Sequence, residues 1–383
     1  MNKLKILSVF GTRPEAVKMA PVVRELAGRD YFESRVAVTG QHREMLDQVL
    51  THFQLRPDYD LAIMQERQTL NAIFSRTIER LDGVLASEQP DVVLVHGDTA
   101  TTIAASLAAF NRGAKIGRVE AGLRSFDKWF PYPEEIYRRL ADVVGDLHFA
   151  PTLTSRRNLL AEGIGPESIF VTGNSVIDAL LWTIRADYRF RDQSLNELIG
   201  AGRPIVLVEC HRRENFGAPM VEIAESVREI AVTHPEVETV VSAHLNPEAG
   251  AVFRRVLAGV PGVHIYDPFD YPEWSNLMNA ARILITDSGG AQEEAPALGV
   301  PVLLCRDTTE RPEAVVAGTV KMVGPHRDRI VGEAHRLLTD PVAHAAMAQA
   351  RNPYGDGEAA RRIADAIAYY YGFTGSRPDD YIS

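Results

Sequence analysis

Across 383 residues the chain carries 41 Lys and Arg against 51 Asp and Glu, a formal net charge of -10, which argues against a general nucleic-acid or anionic-membrane surface and requires any phosphate to be held locally. Hydrophobic residues make up 45% and charged residues 24%, the mix of a globular protein with apolar material for two cores, as this length predicts. The two cysteines, Cys210 and Cys305, sit in neither a metal-ligand nor a Cys-x-x-Cys spacing, so a disulfide framework is excluded.

The opening apolar stretch is interrupted by Gly11, Arg13, Pro14, Glu15 and Lys18, which leaves no signal-peptide core, and no run reaches the length of a membrane span. A cytoplasmic location is predicted. From there short apolar runs alternate with amphipathic segments of helical length, the pattern of βα units around a parallel sheet. Leu4–Phe10 reads as a buried strand. It ends in Phe10-Gly11-Thr12-Arg13-Pro14-Glu15-Ala16, a glycine turn into a helix start, where backbone amides and Arg13 can hold an anion. The same segment reads equally as a tight turn with a surface arginine.

Residues 35–39, 92–95 and 115–119 read as further strands. The second of these runs into Val95-His96-Gly97-Asp98-Thr99, where Asp98 either caps the next helix or faces a ligand. The third ends in Val119-Glu120-Ala121-Gly122-Leu123-Arg124, which brings a second carboxylate to the same sheet edge. Pro131-Tyr132-Pro133-Glu134-Glu135 then opens another helix. Carboxylates converging from successive strand ends exceed what capping needs, and they suit acid/base chemistry.

A strand ending near Ile169–Asn174 and a helix over 176–185 lead into a charged stretch reaching Arg203, which predicts domains at residues 1–175 and 176–365 with a tail over 366–383. Alternation resumes with strands at 205–208, 239–241, 263–266, 283–285 and 302–304. The first ends in Val208-Glu209-Cys210-His211-Arg212-Arg213-Glu214-Asn215, where a histidine between ligand-facing arginines can meet a phosphate. Thr286-Asp287-Ser288-Gly289-Gly290-Ala291-Gln292-Glu293-Glu294 is a small-residue turn that lets amides approach a diphosphate. Arg306-Asp307-Thr308-Thr309-Glu310-Arg311-Pro312-Glu313 adds polar groups at the next strand end.

In this order, and together with Thr39-Gly40-Gln41-His42-Arg43 and Asn352-Pro353-Tyr354-Gly355-Asp356-Gly357, these segments resemble the non-hydrolysing UDP-N-acetylglucosamine 2-epimerase family over almost the whole chain. The resemblance implies an α/β protein of two facing Rossmann-like domains, the glycosyltransferase B type, with the active site in the cleft between them. It also implies a homodimer that serves cell-surface polysaccharide biosynthesis. Asp98, Glu120 and Glu134 become acid/base carboxylates, and His211 becomes the group that stabilises or protonates the departing diphosphate. Arg13, Arg138, Arg212, Ser288, Gly289, Gly290, Glu294 and Arg311 become contacts to the UDP-sugar. Gln41, Gln68, Glu135, Arg212 and His244 match a second, allosteric UDP-N-acetylglucosamine site. The implied reaction uses no metal and no cofactor, and the implied partner is the nucleotide sugar, with no nucleic acid and no membrane.

Four positions depart from the family pattern. Tyr137 stands where Pro-Glu-Glu-x-Asn-Arg has its amide, Glu209 replaces a threonine two residues before His211, Ser242 falls in a Tyr-Pro-x-His segment, and Arg118 replaces a histidine ahead of Val119-Glu120. They are read as candidates for altered specificity, or as changes that compensate one another in volume. A buried Glu209 requires an arginine or lysine partner, or else a substrate hydroxyl. An epimerase acting on a different nucleotide sugar, and a UDP-sugar glycosyltransferase, are the alternatives that share this fold.

Overall fold

Runs of Val, Ile and Leu can be covered on both faces, and the strands they form pair in parallel. The computed structural model describes residues 3–40, 43–65 and 68–382. β1 (Leu4–Phe10), β2 (Phe32–Val38), β3 (Tyr59–Asp60), β4 (Val92–His96), β5 (Lys115–Val119), β6 (Leu147–Ala150) and β7 (Ile169–Val171) form one parallel sheet. Its order is β3-β2-β1-β4-β5-β6-β7. β8 (Ile205–Glu209), β9 (Glu238–Ser242), β10 (Val263–Tyr266), β11 (Ile283–Thr286), β12 (Val302–Leu304) and β13 (Val320–Met322) form a second. That sheet is ordered β10-β9-β8-β11-β12-β13.

In each sheet the chain builds outward in one direction and then returns to build in the other. The reversal falls between β1 and β4 in the first sheet and between β8 and β11 in the second. Loops leaving the carboxyl ends of those two strands diverge, which opens the crevice where such sheets bind ligands. Leu7, Val9, Val93 and Val95 fill the core beneath the first crevice. Val206, Val208, Ile283 and Ile285 do the same beneath the second. The predicted α/β class with two Rossmann-like units is therefore the observed one.

The strands read from sequence are present to within a few residues. β3, β6 and β13 were not among the expected elements, because two to four residues of strand carry too little periodicity to separate from a loop; nor was the helix Gln193–Gly200, eight residues inside a charged stretch that reads as irregular. The chain divides into one unit of Met1–Ala179 with Tyr354–Ser383 and another of Leu180–Pro353. The expected boundaries at 175 and 365 thus shift, and residues 354–365 change sides. The helix Ala359–Tyr370 belongs to the first unit for a local reason. Its first amides, on Ala359 and Ala360, donate to the Asp178 carboxylate at 3.2 and 2.8 Å, Arg29 pairs with Asp365 at 3.1 Å, and Phe373 stacks on Tyr31. Among the described residues no helix is long and apolar enough to cross a membrane.

Candidate active site

The first crevice is built around a buried carboxylate. Thr12 and Glu15 form a capping box at the start of the helix Arg13–Ala27, a pairing that usually serves only helix ends. Here Glu15 does more. One of its oxygens accepts from the Gly11 and Thr12 amides at 3.0 and 2.7 Å and from the Thr12 hydroxyl at 2.8 Å. The other accepts from the Thr99 and Thr102 hydroxyls at 2.7 and 3.1 Å. Glu15 therefore ties the loop after β1 to the loop after β4, across the point where the strand order reverses. Gly11 has no room for a side chain, since a Cβ there would lie 1.9 Å from Thr39 Oγ1.

Above this brace lies a cavity of about 460 Å³ lined by Thr12, Arg13, Pro14, Leu70, Asp98, Thr99, Ala100, Pro133, Glu134 and Tyr137. Of the three carboxylates expected to converge, Asp98 and Glu134 face this one space, beside the expected UDP contact Arg13. The capping alternative for Asp98 does not hold, because Thr99 is the N-cap and accepts from the Thr102 amide. Asp98 is instead free to face the cavity while Arg138 pairs with it at 2.5 Å. Arg138 was expected on the substrate. The structure makes it the partner of Asp98 and leaves its Nε buried without a hydrogen bond. Tyr137 lines the same cavity, and burial, followed by the neighbouring Tyr132 and Glu134, pushes its phenol pKa upward.

Glu120 occupies the next strand end but does not line that cavity. Its backbone has φ of 63°, a left-handed conformation that costs a residue with a side chain on the order of 1–3 kcal/mol and is often kept for function. The carboxylate meets Lys18, accepts from Asn174 Nδ2 at 2.7 Å and lies 3.6 Å from His96 Nε2. Burial pushes the Glu120 carboxyl up, yet Lys18 and His96 outweigh it and hold the group well below the usual carboxylate range. Glu120 is an anion here. Lys18, His96, Asn174 and Glu15 were not among the sequence candidates. Thr12-x-x-Glu15 was legible as a capping box, whereas nothing local pairs Lys18 with a residue so distant in the chain.

Other expected residues fall elsewhere. Arg118 is wholly buried, pairing with Asp142 at 3.1 Å and donating to the Gly97 carbonyl at 2.7 Å. It braces the Gly97-Asp98 turn from below and does not touch the cavity. Glu135 is fully buried and spends its carboxylate on the Ser125 and Phe126 amides, at 2.9 and 3.1 Å. Gln68 accepts from Arg76 at 2.9 Å. Gln41 lies outside the described residues.

The second unit repeats the device with Asp287. Register sets Thr286 beside Glu209, so the loops after β8 and β11 start level. Asp287, fully buried, accepts from the His211 amide at 2.9 Å, the Arg212 amide at 3.0 Å and Asn215 Nδ2 at 2.8 Å. It holds the His211-Arg212 turn against the Ser288-Gly289-Gly290 turn. A Cβ at Gly289 would lie 2.8 Å from Arg311 Nη1, so the bare backbone of this turn lets the Arg311 guanidinium approach. Arg311 pairs with Glu293 and with Glu310, the latter at 2.6 Å, and Glu294 accepts from the Tyr271 hydroxyl at 3.1 Å. Burial raises the Glu310 carboxyl, but Arg311 and Arg306 prevail and bring it down to about 2. Arg212 Nε is buried without a hydrogen bond.

His211 stacks on His244 with ring centres 5.2 Å apart, and Ser242 closes β9 as a buried residue. Glu209 is only partly buried and its nearest cationic partner is His211, with Oε1 3.4 Å from Nδ1. The expected arginine or lysine partner is therefore replaced by a histidine. Each unit thus carries functional groups on adjacent strand ends, braced by one buried carboxylate. The first is rich in carboxylates and the second in donors and cations.

Comparison with known proteins gives a consistent result. A family profile described as UDP-N-acetylglucosamine 2-epimerase covers residues 24–368. The chain is 52% identical over 370 residues to the UDP-N-acetylglucosamine 2-epimerase of Escherichia coli strain K12, spanning 95% of this chain and 98% of that protein. It is 47% identical over 381 residues to the one from Bacillus subtilis strain 168, spanning 100% and 99%. The crystal structure of the Neisseria meningitidis UDP-GlcNAc 2-epimerase bound to UDP-GlcNAc superposes with a TM-score of 0.85 at 44% identity, covering 96% of this chain and 100% of that one.

Proposed function

The chain belongs to the UDP-N-acetylglucosamine 2-epimerase family and is an isomerase of nucleotide sugars, and from that premise we propose how its own residues carry the reaction. The substrate is UDP-N-acetylglucosamine and the product UDP-N-acetylmannosamine. In the forward step the carbon-2 proton leaves to a carboxylate while the carbon-1 to oxygen bond breaks and UDP departs with the bonding electrons, giving a 2-acetamidoglucal. Return of UDP to carbon 1 and of a proton to the opposite face of carbon 2 completes the inversion. No net oxidation occurs.

Asp98 and Glu134, which share the first cavity, serve as the proton-exchanging pair. Glu120, ionised beside Lys18 and His96, holds no proton to give. His211, Arg212, Arg311 and the Ser288-Gly289-Gly290 turn receive the negative charge that develops on the departing diphosphate, and fixed donors are most effective where charge appears. The pairing of Asp98 with Glu134 around one cavity is the observation that carries this reading. Proton NMR with UDP-N-acetylglucosamine in heavy water tests it. The expected result is deuterium at carbon 2 together with the manno epimer, and active-site-intact protein that exchanges nothing would overturn it.

Tyr137 and Ser242 favour a secondary question of specificity, answered by the same NMR assay over a panel of nucleotide sugars. The family resemblance also supports a cytoplasmic homodimer acting in cell-surface polysaccharide synthesis, and light scattering at twice the 42.3 kDa chain mass tests the assembly. A further expectation concerns Asp287. Asp287→Ala leaves the His211 and Arg212 amides without their buried acceptor, a cost of about 1–3 kcal/mol per group. UDP should then bind about ten- to a hundredfold more weakly by calorimetry. An unchanged Kd would show that the brace is dispensable for the diphosphate.

A further inference from the structure

Every group around His211 can be named from the elements that pack against it. Glu209 comes from the end of β8, Asp287 from the end of β11, His244 from the turn after β9, and Arg212 follows in the chain. Asp287 is already engaged by the His211 and Arg212 amides and by Asn215, and His244 Nδ1 accepts from the Asn246 amide at 3.0 Å. That leaves Glu209 as the carboxylate facing the ring. Its Oε1 lies 3.4 Å from Nδ1, with the two side chains 23% and 27% exposed, and Nδ1 is buried with no closer partner. The separation is long for a hydrogen bond but well within the range of charge pairing.

We propose that Glu209 is a positioning residue for His211, fixing the ring against His244 and holding its positive charge where the diphosphate binds. The proposal rests on the reading of His211 as a diphosphate-facing group, and adds a residue that the chemistry of that reading does not require. Stacking confines the ring to one plane, and the carboxylate then chooses which nitrogen points inward. With Nδ1 turned to Glu209, Nε2 is the nitrogen left for a ligand, so the orientation of the ring and its charge come from the same contact. The contact with Glu209 raises the His211 pKa, burial opposes it, Asp287 adds to the rise and Arg212 subtracts.

A histidine whose pKa is raised keeps its charge as pH climbs and loses it only above the raised midpoint. Removing the carboxylate lowers that midpoint, so the variant and the native protein are alike in acid and diverge toward alkaline pH. Glu209→Gln keeps the length and shape of the side chain and removes the charge, and Glu209→Asp keeps the charge on a shorter arm.

The test is histidine NMR on the full-length protein without ligand, with the His211 signal assigned by its loss in His211→Asn. The titration midpoint of His211 should fall in Glu209→Gln and recover in part in Glu209→Asp. In turnover assays, kcat/KM of Glu209→Gln should match the native value near pH 6 and drop several-fold below it by pH 8. An unmoved His211 midpoint in Glu209→Gln would overturn the proposal, as would a loss of kcat/KM that is uniform across pH. Failure of the epimerase reading is a separate event, visible as absent carbon-2 exchange in the native protein, and the NMR midpoint does not depend on it.

Discussion

Asp98→Asn should lower kcat by about 10²–10⁴-fold, the usual range for loss of a general acid or base, while UDP affinity stays within about twofold of native, since that change is far below the 1.4 kcal/mol that a tenfold shift represents. The substitution is nearly isosteric. Its side-chain oxygen can still accept from Arg138, which now sits 2.5 Å away, so the cavity keeps its walls and what is lost is an atom able to take or return a proton. Asp98 itself is 27% exposed, and Arg138, only 10% exposed, keeps the amide oxygen as an acceptor and Glu135 as a carboxylate 3.7 Å away, so the melting temperature should fall only modestly. Thr99 already caps the following helix, and a helix-end role therefore predicts no effect at all. Deuterium uptake at carbon 2 and formation of the epimer should fall together. A kcat within tenfold of native would remove Asp98 from the proton path, whereas carbon-2 exchange that survives without epimer formation would confine it to the opposite face.

The reach of the sequence can be measured on the same residues. Strand ends were legible because a parallel strand covered on both faces must be an unbroken apolar run, and the residue after the run must then lie at a ligand-facing edge. That logic singled out Arg13, Asp98, Glu120, Glu134, His211 and Ser288–Gly290 as candidates, of which Arg13, Asp98 and Glu134 line one cavity and Glu120 does not. It could not separate residues that face a ligand from those that hold them. Arg138 and Arg118 are both basic residues near strand-end motifs, yet one pairs with Asp98 and the other is buried against Asp142. Only their partners, distant in the chain, distinguish them. Glu135 illustrates the same limit, since adjacent glutamates differ in role because successive helical side chains point in different directions. The return of the C-terminal segment to the first unit was also hidden. It depends on Asp178 meeting the amides of Ala359 and Ala360, and no local composition encodes that encounter.

Lys18 is the residue whose loss should cost the most stability. It lies within the helix Arg13–Ala27, where a lysine reads as an ordinary surface residue, but its ammonium meets Glu120 with the two side chains only 13% and 8% exposed. Removing one member of a buried pair leaves the other uncompensated, a loss on the order of 3–5 kcal/mol. Lys18→Met should therefore lower stability by about that amount near pH 8 in urea unfolding, because Glu120 would keep only Asn174 and His96 against the cost of burial. The pH dependence fixes the cause. In the native protein the Glu120 carboxyl is depressed, so its contribution is present above the ordinary carboxylate range and is lost as pH falls through the depressed value. In Lys18→Met burial prevails and the carboxyl takes up a proton more readily, so the deficit against native should narrow as pH drops from 8 toward 5. Lys18→Met combined with Glu120→Gln should recover part of the loss at pH 8, since no unpaired charge then remains. A deficit below about 1 kcal/mol, the level of an exposed ion pair, or one that does not change with pH, would mean that Lys18 and Glu120 do not depend on each other in the way their contact requires.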